Sequence, residues 1–126
     1  MRQITPVKKA HGLGVVNTGP HHWWLQRVTA IALIPLTLWV IFAVASLVGQ
    51  DYTSVKSWFA LPHNTVLSVL FVVTAIYHAN LGLQVIVEDY IHHPGIKQAV
   101  LVTLKLLLVL LGTLCAVFLL RLAFVP

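Results

Sequence analysis

Val28-Thr29-Ala30-Ile31-Ala32-Leu33-Ile34-Pro35-Leu36-Thr37-Leu38-Trp39-Val40-Ile41-Phe42-Ala43-Val44-Ala45-Ser46-Leu47-Val48-Gly49-Gln50 is an unbroken run of 23 residues with no Lys, Arg, Asp or Glu. Coiled at 1.5 Å per residue it reaches about 34 Å, enough to cross a bilayer core about 30 Å thick. Pro35 interrupts its middle, which membrane helices tolerate because neighbours satisfy the freed carbonyl. Trp23 and Trp24 stand just before it, at the level of an interfacial aromatic belt. The same pattern recurs twice. Residues 57 to 87 carry no charged side chain, and between Lys97 and Arg121 the only charge is Lys105. The expected spans are about 25–48, 65–88 and 98–121.

The rest of the chain agrees with that reading. Of 126 residues, 59% are apolar and 9% charged, against about 45–50% and about 25% in ordinary soluble domains. So little charge cannot cover a water-facing surface, which excludes a soluble enzyme, a disordered chain and a disulfide scaffold. The expected fold class is all-α: an integral membrane protein of three transmembrane helices, stable only within a larger bundle. Residues 1–22 form a polar segment ahead of the first span, with Gly12, Gly14 and Gly19 and no cleavage pattern of a signal peptide. Thr53 to Ala60 is expected to make a short interfacial helix carrying Trp58 and Phe59. Leu61-Pro62-His63-Asn64 and Pro94-Gly95 read as breaks.

A net charge of +5 could suggest nucleic acid, but Arg2, Lys8, Lys9 and Arg27 all precede the first span, where cations set topology. With the N-terminus inside, the inner side collects those four and Lys97, and the outer side keeps Lys56 and Arg121. The expectation is N-terminus in, C-terminus out, with lipid and not nucleic acid as the surroundings. Lys105, two turns inside the third span, reads as a snorkelling lysine. Cys115 is the single cysteine, so no intrachain disulfide can form and it reads as a small core residue.

An ionisable side chain inside a membrane helix is costly and points to function. His78 is one, 13 residues after Thr65 and near mid-bilayer. Thr74, Ala75 and Gly82 lie one turn away on its face, small enough for a flat ring system to approach the backbone. Imidazole is an axial ligand for haem iron, and one ligand per chain suits a cofactor shared between two chains. The plainer reading is a histidine hydrogen-bonded across a helix interface, and residue types alone leave the two open. Asp89 follows 11 residues later, within about 20° of the same face and about 16 Å nearer the inner surface. Together with Tyr90 it could hold a polar head group, or it could simply end the helix at the interface. Arg27 at the start of the first span suits either a haem propionate or a topology anchor. The adjacent pairs His21-His22 and His92-His93 point in different directions and make poor metal sites.

Two stretches resemble a known family. His21-His22-Trp23-Trp24-Leu25-Gln26-Arg27-Val28-Thr29-Ala30-Ile31 resembles the start of the first span in the D-type hydrophobic membrane anchor of succinate dehydrogenase. His78-Ala79-Asn80-Leu81-Gly82-Leu83-Gln84-Val85-Ile86-Val87-Glu88-Asp89-Tyr90 is similar to its second span, an H-x3-G-x6-D-Y pattern. With the three-span layout, the likeness covers nearly the whole chain. It implies His78 as an axial ligand of haem b and Arg27 near a propionate. It also implies Tyr90 donating to a quinone carbonyl, with Asp89 supporting that site. The partners implied are a C-type cytochrome b anchor subunit sharing the haem, an iron–sulfur subunit and a flavoprotein subunit on the inner face. The cofactor is haem b, the substrate ubiquinone, and the setting the bacterial inner membrane. Succinate oxidation is expected elsewhere in such a complex, since this chain carries neither a flavin motif nor a cysteine cluster. Two alternatives stand beside this reading. One is the anchor of a menaquinone-linked fumarate reductase; the other is a small channel or transporter subunit using His78 as a proton relay.

Overall fold

The computed structural model describes residues 18–124, and within them the chain is helical throughout: α1 Thr18–Leu47, α2 Tyr52–Ala60, α3 Pro62–Tyr90 and α4 Pro94–Phe124. The expected inner segment therefore lies mostly outside the described residues, apart from its last five, which open α1. The three long helices have 30, 29 and 31 residues, about 45 Å each, longer than the roughly 30 Å apolar core of a bilayer. All three are apolar and long enough to cross a membrane.

The connections follow from local chemistry. α1 stops at Leu47, and Gly49 takes the left-handed conformation (φ 78°) that ends helices cheaply only without a Cβ. Asp51 then caps α2, its carboxylate accepting from Ser54 N at 3.4 Å. Hydrogen bonding from Ser54, its side-chain hydroxyl first and its backbone N–H with it, holds the Asp51 carboxyl below its usual range. The short helix forms where Trp58 and Phe59 were expected to sit at the interface, and Trp58 stacks on Trp39 of α1 with ring centroids 5.7 Å apart. The two proline breaks behave differently from the expectation. Pro62 and Pro94 are the first residues of α3 and α4. A first-turn position needs no N–H, so each proline starts the next helix directly after a one- to three-residue link.

α3 is the middle helix, with α1 packed on one side and α4 on the other, and α2 bridging the far end. Gly82 faces α1, where a Cβ would meet Gln26 Nε2 at 3.5 Å; Gly112 of α4 likewise faces Ile76 of α3 at 3.5 Å. Small residues at both seams let the backbones approach, which is how helices associate in lipid. The α2–α3 corner is tied by side chains: Asn64 Nδ2 donates to Trp58 O (2.9 Å), Thr65 to Phe59 O, and Ser68 to Asn64 O (2.7 Å). Apolar burial within the chain is slight. Only Leu36, Leu81 and Val87 are buried hydrophobics among the described residues, and Ile31, Phe42, Leu106 and Phe118 are exposed. Such a bundle is finished by lipid and by other chains, not by its own core.

Candidate functional site

His78 sits on the α3 face that meets α1. Its position, 16 residues after Pro62 and 12 before Tyr90, puts it about 24 Å and about 18 Å from the two ends of the helix. The side chain is half-buried, and its Nδ1 lies 2.8 Å from Thr29 Oγ1 of α1. The same hydroxyl is 2.8 Å from Leu25 O and 3.2 Å from Gln26 O, the usual back-bond of a helical threonine. Its one hydrogen is thereby used on the preceding turn, so toward His78 it accepts and Nδ1–H donates. The ring is thus held as the tautomer whose Nε2 keeps a lone pair. A groove of about 400 Å³ opens beside it, lined by Ala30, Leu33, Ile34, Thr37, Leu38 and His78. A small, apolar wall with one bare imidazole nitrogen fits a flat, largely apolar macrocycle held through its metal. Among the described residues no three His, Cys, Asp or Glu side chains gather into a metal site, so His78 would contribute a single protein ligand.

Arg27 does not touch His78. It is exposed, and its guanidinium lies over the Trp23 ring at 5.2 Å. Ala30 and Ile34 follow three and seven residues later on the same side of α1, so Arg27 stands one turn beyond the groove, toward the end of the bundle where α3 finishes. No carboxylate among the described residues pairs with it. Asp89 and Tyr90 are also exposed, Tyr90 by 81%, at that same end of α3. The described residues bring neither to His78 and do not enclose them.

Three features were not anticipated from sequence. Thr29 stood in the quoted motif without a role; only the interhelical distance gives it one. A second cleft of about 570 Å³, lined by His22, Trp23, Gln26, Gly82, Gln84, Val85 and Glu88, contains buried His22 Nε2 and Gln26 Oε1 without partners. Glu88 there accepts from Gln84 Nε2 at 2.7 Å. Finally, His93 is an N-terminal cap, its Nδ1 accepting from Ile96 N at 3.4 Å, and Lys97 Nζ donates to Glu88 O at 3.2 Å, closing the α3–α4 turn.

Fold and site together define a multi-pass helical membrane protein with one histidine at mid-span, in contact with a threonine of the neighbouring helix. The family model described as succinate dehydrogenase/fumarate reductase transmembrane subunit matches residues 1–120, and the chain belongs to that family. It is 33% identical over 114 residues to the succinate dehydrogenase hydrophobic membrane anchor subunit of Rickettsia bellii, covering 89% of this chain and 91% of that one. The protein of the same name from Paracoccus denitrificans is 33% identical over 101 residues, 80% of this chain and 78% of that one. The succinate dehydrogenase membrane anchor subunit of Reclinomonas americana is 38% identical over 79 residues, 60% and 66% respectively.

Proposed function

We propose that this chain is the D-type membrane anchor of a succinate dehydrogenase in the bacterial inner membrane, with its N-terminus inside. His78 supplies one axial ligand to a haem b shared with a C-type cytochrome b anchor subunit, and the Arg27 end helps bind ubiquinone. The observation that carries this reading is the 2.8 Å contact between His78 Nδ1 and Thr29 Oγ1, because with Nδ1 engaged there Nε2 is the ring nitrogen left for a ligand beside an apolar groove. The relatives named above favour succinate dehydrogenase over the menaquinone-linked fumarate reductase alternative. A proton relay at His78 would need water at Nε2, and the groove there has mostly aliphatic walls.

Orientation follows the cations: five of them, Arg2, Lys8, Lys9, Arg27 and Lys97, lie on the side assigned as inner, against Lys56 and Arg121 outside. That places Arg27, Asp89 and Tyr90 toward the face where the iron–sulfur and flavoprotein subunits dock. When bound, the haem would supply one-electron redox chemistry. This chain's residues do the holding. His78 would hold the iron, Thr29 positions His78, and Arg27 would offer donors to a propionate. The Tyr90 hydroxyl donates to a quinone carbonyl, and Asp89 keeps that pocket polar for proton transfer to the reduced quinone. Both are exposed in this chain, so a neighbouring subunit closes the pocket over them.

Co-purification through a tag on this chain tests the assignment. The expected result is three further subunits, one flavin-bearing and one rich in iron–sulfur clusters, and a reduced-minus-oxidised b-type spectrum. In His78→Ala the b-type signal should fall or become high-spin, while succinate oxidation with a soluble dye persists. An unchanged low-spin spectrum in that variant rejects His78 as ligand.

A further inference from the structure

The other face of α3 carries a different chemistry. Asn80 follows His78 by two residues, about 200° around the helix, and so turns away from the His78 groove toward α4; Gln84, one turn on, lines both the α1-side and the α4-side clefts. With Gln98 and Lys105 of α4 they line a cleft of about 240 Å³. Asn80, Gln84 and Lys105 also stand at one end of a larger groove of about 630 Å³ between α3 and α4. That groove is aliphatic along most of its length and runs as far as Val73 on α3 and Leu120 on α4. From Lys105 to Leu120 is about 22 Å of helix, longer than the roughly 15 Å of hydrocarbon in one leaflet.

Lys105 has no hydrogen bond or ion pair among the described residues, and the chain offers it no acid. Of the three acidic residues, Asp51 caps α2 at the far end, Glu88 is held by Gln84 Nε2 and lines the cleft on the α1 side, and Asp89 ends α3 in the open. An ammonium two turns inside a span, among carboxamides and at the head of an apolar groove, calls for an anion that also carries a hydrocarbon chain. We propose that the α3–α4 groove binds one anionic phospholipid. Its phosphate sits on Lys105 with the Asn80 and Gln98 amides, and one acyl chain lies along the groove toward Leu120. The site is on the opposite side of α3 from His78 and does not depend on the haem assignment.

The test uses the detergent-solubilised assembly that purifies with this chain, delipidated and then supplied with phosphatidylglycerol, phosphatidylcholine or inorganic phosphate. Native mass spectrometry reads the bound species. The parent should retain one more phosphatidylglycerol than Lys105→Met, with affinity about tenfold or more weaker in the variant, the loss expected for a hydrogen bond to a charged group. Phosphatidylcholine should show no such difference, and inorganic phosphate should neither bind measurably nor displace the lipid. Lys97→Met, at the exposed helix end, should retain the lipid. If Lys105→Met fails to assemble, Lys105→Arg should keep the phosphatidylglycerol and Asn80→Leu should lose it. Equal retention by parent and Lys105→Met overturns the proposal, as does displacement by inorganic phosphate. So does a photocrosslinker at Val109 that labels a partner subunit and not lipid, which would mean that a protein helix fills the groove.

Discussion

Thr29→Val is the most searching change the structure suggests. Valine keeps the β-branched shape and the helical rotamer but removes the oxygen that accepts from His78 Nδ1–H at 2.8 Å. The donor is half-buried, with no other acceptor placed on it, so leaving it unpaired costs about 1–3 kcal/mol. An independent estimate comes from outer partners of metal-bound histidines, whose loss lowers metal affinity about 10–100-fold, or about 1.4–2.8 kcal/mol. The two ranges agree. The ring would also be freed to rotate or to take the other tautomer, weakening the donor strength of Nε2. The expected phenotype is a haem that dissociates about 10–100-fold more readily and shifts in midpoint potential, with assembly and succinate–dye turnover near the parent. Thr29→Ser, which restores the hydroxyl, should recover most of both. Haem content per complex during dilution, with potentiometric titration of the b-type band, reads these quantities directly. If Thr29→Val matches the parent in haem retention and potential, the threonine does not orient a ligand, and the argument from tautomer to iron fails.

Tyr90→Phe should leave folding and haem intact but slow succinate–quinone turnover roughly five- to 150-fold, the equivalent of a 1–3 kcal/mol unpaired carbonyl, without slowing the dye reaction. Equal quinone rates would make Tyr90 an interfacial aromatic only. Arg27→Leu should act more mildly than His78→Ala, because Arg27 is exposed and one turn beyond the groove: the haem potential should shift while the low-spin band persists. The Asp51 cap should depend on pH. Its carboxyl is held below the unfolded value near 3.9, so the cap's stabilisation is present above that value and disappears as pH falls through the lower folded one. Hydrogen exchange of the α2 amides, corrected for intrinsic rates, should therefore speed up between pH 5 and pH 3. In Asp51→Asn that pH dependence should vanish, since asparagine caps without titrating.

Which helices form could be read from the chain; how they neighbour one another could not. Charge-free runs and flanking tryptophans mark three long helices, because length and desolvation alone decide whether a segment enters a bilayer. Pro62 and Pro94 misled because proline forbids a helix from continuing into it but favours one starting at it, and sequence does not say which neighbour it belongs to. The central place of α3 was hidden for a different reason. α1, α3 and α4 carry apolar residues on every side, so no clear stripe marks a buried face; Gly82 and Gly112 are hints that acquire meaning once Gln26 and Ile76 are seen against them. At the site, His78 was legible because a lone imidazole at mid-span is expensive. Thr29 was not, since a threonine back-bonded to its own helix looks the same whether or not a histidine approaches it from 49 residues away.

The middle position of α3 ties the two sides of the molecule together. A helix with a neighbour on each side has two seams, and here the seams differ in what they leave unsatisfied. Along α1, the seam leaves His22 Nε2 and Gln26 Oε1 without partners and, deeper in, the half-buried His78 imidazole with one nitrogen engaged. Along α4, the polar groups end in an ammonium without a counter-ion. Neither deficit is repaired among the described residues: no other metal-ligating side chain gathers at His78, no acid pairs with Lys105, and Asp89 and Tyr90 are exposed. A self-sufficient membrane protein would carry such costs for no return. An anchor of the kind proposed would resolve both by assembly, with iron held between two chains on one side and, on the other, an anionic lipid that is part of the surroundings already. The scarcity of buried apolar residues belongs to the same logic. With Leu36, Leu81 and Val87 as its buried hydrophobics, the bundle has little internal core to lose, and most of its packing energy is left for the surfaces where partners and lipid attach.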